Sequence, residues 1–271
     1  MRRRNKVCTT VSLEKSHPET VKSAETAFDV LELLHERNGA RLTDLADDLG
    51  IAKSTVHRHL ATLEKRGYVT AEESVYRTSL RFLDFGERAR TRERAYVLAG
   101  QKVNQLAEQT NERAQFIVEE NGEGVYVHRA TGSNAVETDT RIGKRVPLHA
   151  SAAGLAILAH LPRSRVEEIV TRRGLPRLTT ETITDREDLL EECERIRERG
   201  FSVNRHGYVM GLSSIGVSVH DRNDQPIGAF SVSGPSHRMK GDWFRTQLPD
   251  LILGATNELE LKIAYSGASD V

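Results

Sequence analysis

The sequence predicts an α+β chain in two parts, a short helical unit closed by a β-hairpin and a longer stretch that mixes strands with helices. Three observations predict it. Apolar residues recur at three- and four-residue steps between Val21 and Arg66, with glycine at each turn. Two short β-branched and aromatic runs then flank a polar turn. From Tyr96 onward, alternating runs around Asn121-Gly122 give way to helical patterns and then to strands again, the order expected of an antiparallel sheet flanked by helices. A chain of 271 residues accommodates two domains of about 100 to 200 residues each.

Residues 1–20 show no apolar periodicity and are expected to be a flexible tail; their cluster of Arg2, Arg3, Arg4 and Lys6 suits a solvated terminus or a passing contact with DNA. Val21 to Arg37 reads as an amphipathic helix whose inner face is Ala24, Ala27, Phe28, Leu31 and Leu34. Asn38-Gly39 ends it. A short helix follows from Asp44 to Leu49 with Thr43 as its N-cap acceptor, and Gly50 turns the chain into a third helix, Lys53 to Arg66, with Val56, Leu60 and Leu63 facing inward. Gly67 stops that helix, and strands Tyr68 to Ala71 and Val75 to Thr78 form a hairpin wing around Glu72-Glu73-Ser74.

These elements fill a first domain, 21–79, and residues 80–94 read as a charge-rich helix that either links the two domains or begins the second. The second domain, 95–265, opens with a helix to Thr110 and a half-buried antiparallel pair carrying Ala114, Phe116, Val118, Val125 and Val127. Helices are expected from Ser151 to Leu161 and from Arg163 to Arg173. Thr184 to Glu187 has the spacing of a capping box for a further helix closed by Gly200. Strands at Phe201 to Asn204, Ile215 to His220 and Ile227 to Ser233, a helix from Trp243 to Tyr265, and a tail over 266–271 complete the chain.

Charge is balanced, with 39 basic and 39 acidic residues, so only local charge can point to nucleic acid. Cys8 and Cys193 are too few for a disulfide framework or a four-cysteine zinc site and are expected as free thiols. No apolar run nears the roughly 18 residues of a membrane span, and no apolar signal region follows the basic N-terminus, so a cytoplasmic protein without membrane contact is expected. Neither a metal nor a cofactor is expected.

A three-helix unit with a sharp turn before the third helix and a hairpin after it can lay that helix in a major groove. Between Ile51 and Arg66 four cations stand against Glu64 alone, and Lys53, Ser54, Thr55, His57 and Arg58 lie at the helix start or off its apolar face. These are donors for phosphate oxygens and base edges. The expected DNA-contacting set adds Thr43 and Thr62 beside them and Tyr76 and Arg77 on the wing.

The runs Ile51-Ala52-Lys53-Ser54-Thr55-Val56-His57-Arg58 and Leu63-Glu64-Lys65-Arg66-Gly67-Tyr68-Val69 resemble the winged helix-turn-helix of the IclR family of transcription regulators. The resemblance continues through Arg141-Ile142-Gly143, Pro147 to Gly154, Leu175-Pro176, Thr182 to Asp185 and Phe230 to Pro235. It implies a DNA-binding domain joined to a GAF-like effector domain that holds a small metabolite, often a carboxylate, beneath a helical cap. Carried across, the effector site is Val146, Ala152 and Ala153 at the cap, Asn204 and Ser214 on two strands, and Ser231 with Ser233 on a third, with His149 as a ligand donor or a structural hydrogen-bonder. Family members often carry Asp and Cys where this chain has Asn204 and Ser214. A neutral amide and hydroxyl suit a sugar or sugar acid as well as a simple carboxylate.

Two other classes remain open at this point. Ser213-Ser214, His149, His206 and Asp221 include the residue types of a hydrolase triad, although no GxSxG elbow, paired-histidine zinc motif or glycine-rich phosphate loop occurs. The second domain also fits a scaffold that only pairs subunits. One helix-turn-helix reads too few base pairs for genomic selectivity, so a homodimer or homotetramer on a near-palindromic double-stranded operator is expected.

Overall fold

The computed structural model describes residues 20–136 and 139–266. The basic N-terminal cluster, Cys8 and residues 267–271 lie outside them. The chain divides into two units, with the boundary between Phe85 and Gly86.

In the first unit α1 (Lys22–Glu36), α2 (Leu42–Leu49) and α3 (Lys53–Lys65) enclose a core of Val30, Leu34, Leu45, Val56 and Leu60. The inner face of α1 differs from the expected one. Val30 and Leu34 are buried while Phe28 is 65% exposed and Ala24 is open, because α1 packs on its neighbours through its C-terminal half. Two apolar stripes compete on this helix, and periodicity alone does not rank them.

Helix α2 begins two residues earlier than expected. Arg41 occupies the N-cap, its backbone N–H donating to Asp44 Oδ2 at 3.4 Å, so Thr43 lies inside the first turn and is not the cap. Gly50, at φ +63°, makes the left-handed turn toward α3. The wing pairs β2 (Val69–Glu72) with β3 (Val75–Thr78) around Glu73-Ser74, both at positive φ, the two-residue turn whose twist matches a hairpin. A two-residue strand, β1 (Ala40–Arg41), adds to β3, and its brevity left no sequence signal. Ser79 then starts α4 (Arg81–Thr91), accepting from Arg81 N at 3.2 Å, while Arg81 lies over the Tyr68 ring.

The second unit is built on a six-stranded antiparallel sheet of order β6-β5-β4-β9-β8-β7. These strands are β4 (Arg113–Glu120), β5 (Glu123–Thr131), β6 (Arg145–Pro147), β7 (Ser202–Arg205), β8 (Leu212–His220) and β9 (Pro226–Pro235). Helices α5 (Arg94–Thr110) and α9 (Leu248–Ser266) cover one face through Phe116, Phe230, Ile215 and Val232, with the two phenyl rings 5.1 Å apart. Helix α6 (Ala152–His160) covers the other, backed by α7 (Arg163–Arg173) and α8 (Arg186–Arg199). Within the β4–β5 pair only β5 keeps the half-buried pattern: β4 is buried on both faces over Arg113 to Val118, since helices cover both sides.

Three local expectations also change. The capping box at Thr184 does not form; Asp185 caps α8 instead, accepting from the N–H groups of Glu187 and Asp188, while the Thr184 hydroxyl accepts from Arg177. The final helix opens with a wide π turn, Trp243–Gln247, before α9. Strand β6, three residues long, was not legible because Pro147 ends it and no alternation develops.

Candidate nucleic-acid interface and effector cavity

Helix α3 buries Val56, Leu60 and Leu63 and turns Lys53, Ser54, His57, Arg58 and Thr62 outward, with Thr55 half-buried between the faces. Lys53 and Arg58 have no carboxylate within ion-pair reach among the described residues, so their charge is uncompensated. Ala52 at the N-cap offers no side-chain acceptor; the Thr55 amide donates to Ala52 O at 2.8 Å, which leaves the Lys53 and Ser54 amides for an anionic oxygen. Thr62 donates its hydroxyl to Arg58 O at 2.8 Å and keeps only acceptor capacity outward. On the wing, Arg77 is exposed and loosely paired with Glu72 at 3.9 Å; Tyr76 is half-buried against the core and holds the hairpin to it. Thr43 is exposed on α2.

In the second unit a narrow cleft opens between the sheet and the start of α6. Its floor follows from strand alternation: Ser231 and Ser233 on β9, Ser214 on β8, and Arg113 and Gln115 on β4 point to the α6 side, while Phe230, Val232, Ala114 and Phe116 point to the other. Register places Gln115 beside Ser231 and Ser214 beside Ser233. Gln115 Nε2 donates to Ser231 Oγ at 2.9 Å and Ser233 Oγ at 3.4 Å, so both serines keep their own hydroxyl hydrogens to give. Gln115 Oε1 is buried with no partner among the described residues.

Arg113, only 4% exposed, brings a cation into this floor, and its guanidinium donates to Val136 O. Burial, and then the nearby Arg129, draw its pKa below the usual arginine value. Tyr126 also lines the cleft, its phenol pushed up by burial. Ser151 caps α6, accepting from Gly154 N at 3.1 Å, and with Ala152 forms the cap side of the wall.

Of the residues expected from the resemblance, Ala152, Asn204, Ser214, Ser231 and Ser233 line this cleft. Asn204 is a strut within it: Nδ2 donates to Ala150 O at 2.9 Å, and Oδ1 accepts from Gly207 N at 3.0 Å. Its neutral amide is thus explained by the cap it holds. Val146 and Ala153 are fully buried in the cluster behind the cap, and His149 borders a different cavity with Nε2 3.1 Å from Pro176 O. Arg113, Gln115, Tyr126, Thr140 and Tyr208 were not foreseen. The polar alternation Arg113-Ala-Gln-Phe inside an otherwise apolar strand was the available signal for the first two.

The residue types of a hydrolase triad are not brought together. Ser213 pairs with Ser236 at 2.8 Å, His206 Nδ1 accepts from Gly211 N, His149 faces Pro176, and Asp221 closes its own turn. No group of His, Cys, Asp or Glu that could hold a metal occurs among the described residues, nor does any helix there reach the length and apolarity of a membrane span.

A winged helix with a cationic, outward-facing third helix, on one chain with a separate unit that carries a cleft lined by polar side chains, defines a DNA-binding transcription regulator of the one-component kind. Residues 23–73 match the IclR helix-turn-helix domain and residues 94–258 the C-terminal domain of bacterial IclR transcriptional regulators; the chain belongs to the IclR family. It is 28% identical over 246 residues to the HTH-type transcriptional regulator KipR of Bacillus subtilis, a match covering 90% of this chain and 98% of KipR. The crystal structure of Thermotoga maritima IclR shares the fold, with a TM-score of 0.76, 24% identity, and coverage of 90% of this chain and 99% of that one. A double mutant of the inducer-binding domain of PobR from Acinetobacter, in complex with 3-hydroxybenzoic acid, matches at 26% identity and TM-score 0.55 over 60% of this chain and 95% of that one. Relatives of this kind are named as regulators, not enzymes.

Proposed function

We propose that the chain is a metabolite-controlled regulator that binds a near-palindromic operator in the cytoplasm as a homodimer or homotetramer, and that its effector is a small hydroxylated carboxylate, such as a sugar acid. The observation that carries the effector assignment is Arg113. Its buried guanidinium lines the cleft together with Gln115, Ser231 and Ser233, where a planar cation can donate to a ligand carboxylate. The hydroxyls of Ser214, Ser231 and Ser233 and the unsatisfied Gln115 Oε1 then serve the ligand's hydroxyl groups. The PobR complex, whose ligand carries both a carboxyl and a hydroxyl, supports that chemistry.

On the DNA side, Lys53, Ser54, Thr55, His57 and Arg58 enter the major groove, with Thr43, Thr62, Tyr76 and Arg77 flanking. Twofold pairing supplies the second half-site. The ligand alters regulation only through a different affinity for the DNA-competent and incompetent arrangements.

Calorimetry on the full chain with small hydroxy acids and their primary amides tests the effector reading. An acid should bind at least about tenfold more tightly than its amide, since a charged hydrogen bond contributes about 1.5 to 3 kcal/mol. The double variant Ser231→Ala/Ser233→Ala should lose affinity. Equal binding of acid and amide would remove Arg113 from the site, and unchanged affinity in the double variant would remove the serines.

A further inference from the structure

A second cavity of about 160 Å³ lies on the same side of the sheet as the effector cleft, under α7 and α8. Its wall is aliphatic: Leu148, Leu158, Ile169, Val170, Leu175 and Leu189. Charge at its rim is compensated, Arg173 pairing with Glu123 at 3.0 Å and donating twice to Asn121 O. The remaining polar side chain is His149, on the 3-10 turn Leu148–Ala150.

The hydrogen bond at Pro176 O fixes the tautomer of this ring. A carbonyl only accepts, so Nε2 carries the hydrogen and donates, and Nδ1 keeps its lone pair. Nδ1 has no hydrogen-bond partner among the described residues. Burial holds the imidazole below the usual histidine range, which keeps it neutral near pH 7.

We propose that this cavity is a second small-molecule site, separate from the effector cleft, which takes an uncharged, mainly apolar ring-sized alcohol or phenol whose hydroxyl donates to His149 Nδ1. An aliphatic wall whose rim cation, Arg173, is already held by Glu123 and Asn121 O disfavours the hydroxylated carboxylates that suit the effector cleft, because a carboxylate here would be desolvated and would have to displace Glu123 to meet a cation. The two sites therefore differ in charge as well as in place.

The test uses the full chain carrying labelled Ile, Leu and Val methyl groups, titrated with phenol. Methyl signals of Leu148, Leu158 and Leu189 should shift to saturation while those of Ile117, Val209 and Leu212, around the effector cleft, stay in place. Leu175→Trp, which fills the cavity from a half-buried loop position, should raise the phenol Kd at least tenfold. His149→Phe should raise it about fivefold, the worth of one neutral hydrogen bond, without changing the affinity for toluene, which has no hydroxyl to give. Shifts confined to the effector-cleft methyls, shifts that never saturate, or full affinity in Leu175→Trp would overturn the proposal. The wild-type titration decides the matter even where a variant folds poorly, and its failure leaves the effector reading intact.

Discussion

Replacing Gly154 with alanine should loosen the effector unit, although alanine is the better helix former. Gly154 is the third residue of α6, and a Cβ there would lie 2.2 Å from Leu148 O and 2.5 Å from Leu148 Cα. Both atoms are backbone, so no side chain can swing away. Carbon–oxygen contacts settle at about 3.3 Å or more, so α6 and the Leu148 turn must part by about 1 Å. Overpacking of this kind costs about 1 to 3 kcal/mol. The shift also strains the Ser151 cap and the bond from Ser202 Oγ to Ala152 O, the cap alone contributing about 1 kcal/mol. Alanine returns about 1 kcal/mol of helix propensity. The net loss of about 2 kcal/mol corresponds to a fall in Tm of about 4 to 8 °C for a unit of this size. Trp243, the chain's one tryptophan, lies half-buried in the same unit, so its emission follows the melting of that unit alone. A Tm equal to or above that of the unsubstituted protein would refute the close approach of the turn to α6.

Arg58→Ala should weaken operator binding and lower the slope of log affinity against log salt by about 0.9, the signature of one lost phosphate contact; an unchanged slope in a fluorescence-anisotropy titration would sink that role. Stability should also depend on mildly acid pH. Burial, the leading cause in each case, lowers the pKa of His128, His149 and His160. Unfolded imidazoles protonate near about pH 6.5, so below it the unfolded chain binds more protons and stability falls as pH drops toward the folded pKa values. Trp243-detected Tm should therefore be lower at about pH 5.5 than at about pH 7.5, and His160→Gln should flatten part of that difference; a Tm that does not move across this window contradicts it.

How far the sequence disclosed these features depended on the length and purity of each pattern. Helix α3 was legible because Val56, Leu60 and Leu63 leave one face wholly polar, and the hairpins because Asn121-Gly122 and Glu73-Ser74 sit between β-rich runs. Helix α1 was misphased because Phe28 belongs to a second apolar stripe, exposed within the described unit. The floor of the cleft was half seen. Ser231 and Ser233 stood out through resemblance, whereas Arg113 and Gln115, a few residues beyond a helix end, read as ordinary strand positions until register set them beside the serines. Ala152 faces the cleft and Ala153 does not, since successive helical residues turn by about 100°.

The turn Leu148–Ala150 also serves as a party wall. Leu148 and His149 look into the aliphatic chamber, and Ser151 and Ala152, immediately downstream, form the sill of the hydroxyl-lined one. With Gly154 pressed against Leu148 there is no slack for the partition to absorb a push. Any guest that displaces it from one side is felt on the other, and reciprocity then obliges the two occupants to help or hinder each other by the same factor.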